Sequence, residues 1–145
     1  MAKVTIDTNL LVYAIDTADL NKHQAVHTLL DTLAELDTVV SVPALAEFFH
    51  VVTRRGRLST GEARDRIEDW QALFPVIAAR ANTLSHAIDG LRQFQMPFWD
   101  AMLWATAQEA GVTVLLTEDF QDLALIEGVR FVNPFGHEDP AELLS

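Results

Sequence analysis

The segment Val4–Ala14, VTIDTNLLVYA, contains the pattern that decides the fold. A short run with β-branched residues ends at Ile6, Asp7 follows it directly, and the apolar stretch Leu10–Ile15 can begin a helix. Along the rest of the chain, short β-branched runs alternate with longer stretches of helical spacing. This alternation predicts an α/β domain with a mainly parallel sheet.

Apolar spacing predicts the remaining elements, although it does not give the strand order. The further predicted strands are Val39–Val42, Phe74–Ala78, Val112–Leu116 and Val129–Val132. The further predicted helices are Leu20–Leu36, Leu45–Val52, Ser59–Leu73, Arg80–Phe94 and Trp99–Ala110. Residues 120–126 are predicted to form a short helix or turn, and residues 134–145 an irregular acidic tail. The length favours a single domain over residues 1–145.

Composition excludes several classes of protein. The chain has 145 residues, no cysteine and a formal net charge of −11. The absence of cysteine excludes a disulfide scaffold, cysteine-ligated zinc and a thiol nucleophile. No stretch is apolar enough for a membrane helix, and the first residues lack an apolar signal region, so we expect a cytoplasmic protein with no membrane partner. Taken alone, the acidity argues against a nucleic-acid partner.

Four acidic residues stand at positions where a solvated surface charge is not expected: Asp7, Glu47, Asp100 and Asp119. Asp7 and Asp119 follow predicted strands, whereas Glu47 and Asp100 lie near the starts of predicted helices. The carboxyl ends of parallel strands meet at one edge of a sheet, where ligand sites form, so all four can converge there. Taken singly, each also fits an ordinary place in a turn or at a helix N-terminus.

Four carboxylates gathered in one place repel one another and require a counter-charge. Mg²⁺ supplies such a charge, because it prefers oxygen ligands and keeps several of its waters. A cation held in this way activates water and stabilises charge on a phosphate. The acidic set therefore indicates a metal-dependent nuclease.

The sequence contains four motifs that together resemble a known family. They are DTNLLVYA at Asp7–Ala14, VPALAEFF at Val42–Phe49, FWDAMLWATAQEAG at Phe98–Gly111 and LLTEDFQD at Leu115–Asp122. In this order they resemble the PIN-domain family and, more narrowly, the VapC ribonuclease toxins of bacterial toxin–antitoxin pairs. The resemblance extends from Val4 to Phe135. No single motif is decisive, whereas the ordered set is specific.

The resemblance implies a three-layer α/β/α sandwich and an endoribonuclease that depends on Mg²⁺ or Mn²⁺. The family's acidic quartet is matched by Asp7, Glu47, Asp100 and Asp119, with Glu118 as the alternative fourth acid. Its polar helpers are matched by Thr8 or Asn9 after the first Asp and by Thr117 before the last. The resemblance also implies a homodimer, an RNA substrate such as transfer or ribosomal RNA, and a cognate antitoxin. Any contact with DNA would be made through the antitoxin.

On this hypothesis the four acids have different roles. Asp7 and Asp100 are the main metal ligands, because they stand at fixed ends of elements. Glu47 and Asp119 orient water, and one of them acts as general base. Asn9 and Thr117 form hydrogen bonds with the carboxylates or with the substrate. One or two metal ions are compatible with this arrangement.

Half of the cationic residues lie in one short segment, and they are Arg54, Arg55, Arg57, Arg64 and Arg66. They form either a solvated face or a patch that attracts RNA phosphates. Trp99 and Trp104 flank Asp100, and for both of them packing is favoured over base stacking. The histidines lack the spacing of a zinc site.

Two other functions are compatible with parts of the sequence. A phosphatase with an aspartyl nucleophile needs a second Asp two residues after the first, and this chain has Asn9 there. The second alternative is a non-catalytic PIN-like module that binds RNA or assembles with other chains. Such modules typically lose one or more of the acids, so the full set favours catalysis.

Overall fold

The computed structural model describes residues 2–144. Its strands are β1 (Lys3–Ile6), β2 (Asp37–Ser41), β3 (Val76–Ile77), β4 (Val114–Leu116), β5 (Leu125–Ile126) and β6 (Val129–Val132). Its α-helices are α1 (Thr8–Tyr13), α2 (Leu20–Leu33), α3 (Val42–Arg54), α4 (Thr60–Leu73), α5 (Ala81–Phe94) and α6 (Phe98–Glu109). Two 3₁₀ segments, Pro134–Gly136 and Pro140–Leu144, follow β6.

The six strands form one sheet in the order β3-β2-β1-β4-β6-β5. All neighbours are parallel except β5 and β6, which form an antiparallel hairpin. Val4, Thr5 and Ile6 are all buried, and so is the whole of β4, which means that helices cover both faces of the sheet. This confirms the predicted α/β sandwich with a mainly parallel sheet.

The strand order places the start of the chain at the centre of the sheet. From β1 the chain moves outward through β2 and β3 on one side, and it returns to the other side of β1 as β4. The boundary between β1 and β4 is therefore a topological switch point. Open α/β sheets bind ligands beyond the carboxyl ends of the strands at such a point.

Two of the local predictions are wrong. Within the predicted helix or turn over residues 120–126, Leu125–Ile126 is a strand that pairs with β6. The hairpin forms because Glu127 and Gly128 both adopt positive φ, at 48° and 84°, which suits a two-residue turn. The tail is more regular than expected, because its last 3₁₀ segment packs on α2 and buries Leu144. Ser145 lies outside the described residues.

Helices α5 and α6 approach each other closely around one tryptophan. A Cβ atom added at Gly90 would lie 2.4 Å from Cζ3 of Trp104, whose ring is buried. His86 lies one turn earlier on α5 and contacts the carboxylates of Glu109 and Glu127 at 2.9 and 3.3 Å. This packing fixes the position of α6, which carries Asp100.

Within residues 2–144, no helix combines the length and the apolar character needed to cross a membrane.

Candidate functional site

Asp7 is fixed at the carboxyl end of β1. Its backbone N–H donates to the carbonyl of Leu116 at 2.9 Å, which ties it to the end of β4. One carboxylate oxygen accepts from the backbone N–H of Thr8 at 2.6 Å, and the other accepts from Oγ1 of Thr117 at 2.7 Å. With only 5% of its surface exposed, this carboxylate is held in a single orientation.

Polar residues link Asp7 to the other acids. The hydroxyl of Thr8 lies 3.2 Å from Oε2 of Glu47 on α3 and can donate to it. Oγ1 of Thr117 accepts from the backbone N–H of Asp119 at 3.2 Å. Thr8 thus connects α1 to α3, and Thr117 connects Asp7 to the loop after β4. These contacts bring α1, α3 and that loop together beside Asp7.

Asn9 and Asp100 complete the arrangement. The side-chain amide of Asn9 donates to the carboxylate of Asp119. Asp100 lies in the first turn of α6 and shares one small space with Asp7. The other residues lining that space are Leu103, Leu115, Thr117, Phe120 and Phe131. Apolar side chains therefore lie next to both carboxylates.

The electrostatics of the acids follow from this placement. Burial, together with the charges of Asp100 and Asp119, outweighs the hydrogen bonds to Asp7 and raises its pKa to about 7. Burial and then the charges of Asp119 and Glu47 raise the pKa of Asp100 to about 6. Burial and Glu118 also raise the pKa of Asp119. The charges of the acids therefore act on one another, and Lys22 offsets only part of this repulsion, at Asp119.

The adjacent acid Glu118 occupies a different environment. Its carboxylate forms an ion pair with Nζ of Lys22 at 2.8 Å and accepts a hydrogen bond from the hydroxyl of Tyr13. Lys22 also lies over the rings of Tyr13 and Phe135. The structure thus pairs Glu118 with Lys22, whereas Asp119 accepts from Asn9 and its charge acts on Asp7 and Asp100.

Sequence reasoning missed Lys22 and Tyr13 as neighbours of the acidic site. The only available signal was that Lys22 is one of two lysines in an acidic chain. No spacing rule connects it to Glu118, because the two residues are 96 positions apart.

The five arginines do not share one environment. Arg57 forms an ion pair with Asp16 at 3.1 Å, and Arg64 pairs with Glu68 within α4 at 3.2 Å. Arg54 ends α3 and lines a cleft together with Glu47, one of the four acids. The exposed residues Arg55 and Arg66 form no salt bridge within residues 2–144. The contacts thus connect Arg54 alone of the five to an acid of the site.

The donor set fits a hard divalent cation, because every candidate ligand is a carboxylate or another oxygen group. Within residues 2–144, no three His, Asp or Glu side chains stand at the spacing of a complete ligand set. Mg²⁺ does not require such a set, since it is usually bound through one or two carboxylates and keeps several waters. Asp7 and Asp100, whose charges act on each other, are the candidate pair to hold it.

Fold and site together define an α/β protein with an acidic cleft at the switch point of its sheet. A model of the PIN domain family matches residues 4–127. The chain belongs to the PIN domain family. A comparison with curated protein sequences gave no match.

Solved structures share the fold at low sequence identity. The sarcin–ricin-loop-cleaving toxin VapC20 of Mycobacterium tuberculosis has a TM-score of 0.70 and 18% identity, over 88% of this chain and 99% of that one. The DNA-bound VapBC of Salmonella typhimurium has a TM-score of 0.65 and 18% identity, over 90% and 97%. A toxin–antitoxin complex from Klebsiella pneumoniae has a TM-score of 0.62 and 21% identity, over 91% and 98%. At these identities the comparison establishes the fold.

Proposed function

We propose that the protein is a divalent-metal-dependent endoribonuclease that acts as the toxin of a toxin–antitoxin pair. The observation that carries this proposal is that four acids from four elements lie close enough for their charges to act on one another, and they are Asp7, Glu47, Asp100 and Asp119. The raised pKa values of Asp7, Asp100 and Asp119 indicate a site that gathers more negative charge than Lys22 offsets. A purely structural cluster of acids would be paired with Lys or Arg, as Glu118 is.

In this proposal each acid has a separate role in hydrolysis. Asp7 and Asp100 would hold Mg²⁺ or Mn²⁺, which supplies a Lewis acid for the phosphate and for water. Thr117 and the N–H of Thr8 keep the Asp7 carboxylate aimed into the cleft. Glu47 and Asp119, whose charges act on Asp100, would orient water, and one of them would accept the proton of the attacking water.

Asn9 positions the Asp119 carboxylate for that role, because its amide is donated to one of the two oxygens. The other oxygen stays available for water or substrate. The chain has no cysteine, and the described site contains no Ser, so we assign the attack to water.

The toxin role is proposed from the fold of the neighbours, whose structures include VapBC complexes and a sarcin–ricin-loop-cleaving toxin. We propose RNA as the substrate, a homodimer as the assembly, and a cognate antitoxin as the inhibitor. A cationic segment of the antitoxin would be attracted to the acidic cleft and would block it. Contact with DNA would then be made by the antitoxin. The proposed location is the cytoplasm, where the RNA is.

The test is cleavage of structured RNA by the purified protein, with Mg²⁺ or with EDTA. We expect defined RNA ends with Mg²⁺, none with EDTA, and a loss of at least about a hundredfold in rate for Asp7→Asn or Asp100→Asn. Asp31→Asn, on the exposed side of α2, is the matched control and should cleave normally. Cleavage that survives both site substitutions would contradict the assignment.

The alternative is a PIN-like module that binds RNA or assembles without cleaving. It predicts RNA retention with intact ends at every metal concentration. The same experiment separates the two functions, because binding and end formation are read from one sample.

A further inference from the structure

The two tryptophans that flank Asp100 differ sharply in exposure. Trp104 is 1% exposed, and its indole N–H donates to the carbonyl of Ile126 at 3.1 Å. Trp99 is 58% exposed at the start of α6, immediately before Asp100. Packing therefore accounts for Trp104, whereas nothing in the fold requires a large exposed indole at position 99.

Trp99 forms one wall of a cleft of about 390 Å³ between α6 and α3. The other lining residues lie along one side of α3, and they are Ala46, Glu47, His50, Val51 and Arg54. Glu47 belongs both to this cleft and to the acids around Asp100. The cleft is thus continuous with the acidic site.

The chemistry of the cleft changes along its length. The acidic end, at Glu47, lies next to the proposed metal position. At the other end is Arg54, seven residues or two helical turns further along α3, which is about 10 Å. Arg54 forms no salt bridge within residues 2–144, so its charge is available to a ligand. His50 and Val51 lie between the two ends along α3, and the indole of Trp99 lines the same cleft from α6.

We propose that this cleft is a nucleotide subsite, in which a base of single-stranded RNA stacks on Trp99 while Arg54 contacts a neighbouring phosphate. The inference rests on the proposed ribonuclease function. The ring of Phe98 packs against Trp99 at 74° and a centroid distance of 5.1 Å, which holds the indole in place for stacking. Aromatic stacking tolerates every base, and a nearby cation retains the backbone.

Charge complementarity selects this occupant. An apolar partner helix would bury Arg54 without a counter-charge, which is costly. A nucleotide supplies both an aromatic face for Trp99 and a phosphate for Arg54. The subsite therefore selects an unpaired nucleotide beside the bond that is cut, because a base within a duplex cannot stack on a side chain.

The test measures tryptophan fluorescence of the full chain carrying Asp100→Asn, with Mg²⁺, so that bound RNA is not cut. The probes are a short single-stranded oligoribonucleotide and an abasic ribose–phosphate oligomer of equal length. We expect the first to quench the emission of Trp99 and the second to leave it nearly unchanged. Trp99→Phe should remove the quenching and keep most of the affinity, measured independently by fluorescence anisotropy of labelled RNA.

Trp99→Ala should weaken binding of the oligoribonucleotide roughly five- to a hundredfold. Leu73→Ala removes another exposed apolar side chain, 55% exposed at the end of α4, and should bind as the parent does. Equal quenching by the abasic oligomer, or unchanged affinity in Trp99→Ala, would overturn the subsite.

Sedimentation of Trp99→Ala measures the mass of the assembly and tests whether a second copy of the chain occupies the cleft instead. A change in the mass of the assembly without a change in RNA affinity would assign this face to a second copy of the chain and refute the proposal. The proposed function is tested separately by cleavage with the otherwise unaltered protein. If that protein cleaves RNA and Trp99→Ala cleaves it with the same KM, only the subsite fails.

Discussion

Replacing Asp100 by Asn should stabilise the metal-free protein. Burial and the charges of Asp119 and Glu47 raise the pKa of Asp100 from 3.8 to about 6. The folded state therefore binds a proton that the unfolded state has released, so stability falls as pH rises through this window. A difference of about two pKa units corresponds to at most about 3 kcal/mol, and screening by solvent reduces it to about 1–2 kcal/mol.

Asn is nearly isosteric with Asp, and within residues 2–144 no hydrogen bond to the Asp100 side chain is lost. The assay is urea unfolding in EDTA between pH 4 and pH 8. We expect the free energy of unfolding of Asp100→Asn to exceed that of the unaltered protein by an amount that grows up to about pH 7 and is then constant. Asp31→Asn should show no such growth.

Mg²⁺ should reverse this order. If Mg²⁺ binds the folded protein and not the unfolded chain, it raises the free energy of unfolding, and the increase grows with the concentration of free metal. The unaltered protein should gain this stability and Asp100→Asn should gain much less. An Asp100→Asn variant that is no more stable than its parent at pH 8 in EDTA would refute the reasoning about repulsion.

Three further predictions concern the surrounding structure. Gly90→Ala should cost about 1–3 kcal/mol of unfolding free energy, because its Cβ would overlap Trp104, whereas Gly61→Ala, with open space around it, should be neutral or slightly stabilising in the same urea titration. Burial opposes the charged ring of His86, but its two flanking carboxylates outweigh burial and raise its pKa, so the loss of unfolding free energy in His86→Gln should be largest at acidic pH and should shrink as the ring of the unaltered protein loses its proton with rising pH. Thr117→Val removes the hydroxyl that donates to the buried carboxylate of Asp7 and should lower the free energy of unfolding by about 1–3 kcal/mol at pH 8. Equal stability would show that the hydroxyl does not hold Asp7.

The sequence predicts the site better than it predicts the surroundings of the site. Asp7 and Asp119 follow strands, and parallel strands end at one edge, so periodicity and a topological rule suffice to bring them together. The pattern gives no strand order, because several right-handed arrangements satisfy it. The structure supplies this order, and with it the switch point between β1 and β4.

Long-range side-chain pairing could not be predicted. The choice between Glu118 and Asp119 depends on Lys22, which is far away in the chain and approaches only after α2 packs beside α1. The difference between Trp99 and Trp104 likewise depends on which face of α6 meets α5. Periodicity alone does not separate them, because α6 is apolar on several sides.

The most direct test of the acidic site is a crystal structure of the protein with Mn²⁺, analysed by anomalous scattering near the manganese absorption edge. We expect a peak beside the carboxylates of Asp7 and Asp100, with carboxylate oxygens about 2.1 Å from the metal. Glu47 and Asp119 should lie around it, with water between. The absence of a peak at saturating Mn²⁺, or a peak confined to another place such as Asp122 and His137, would contradict a metal centre formed by these acids.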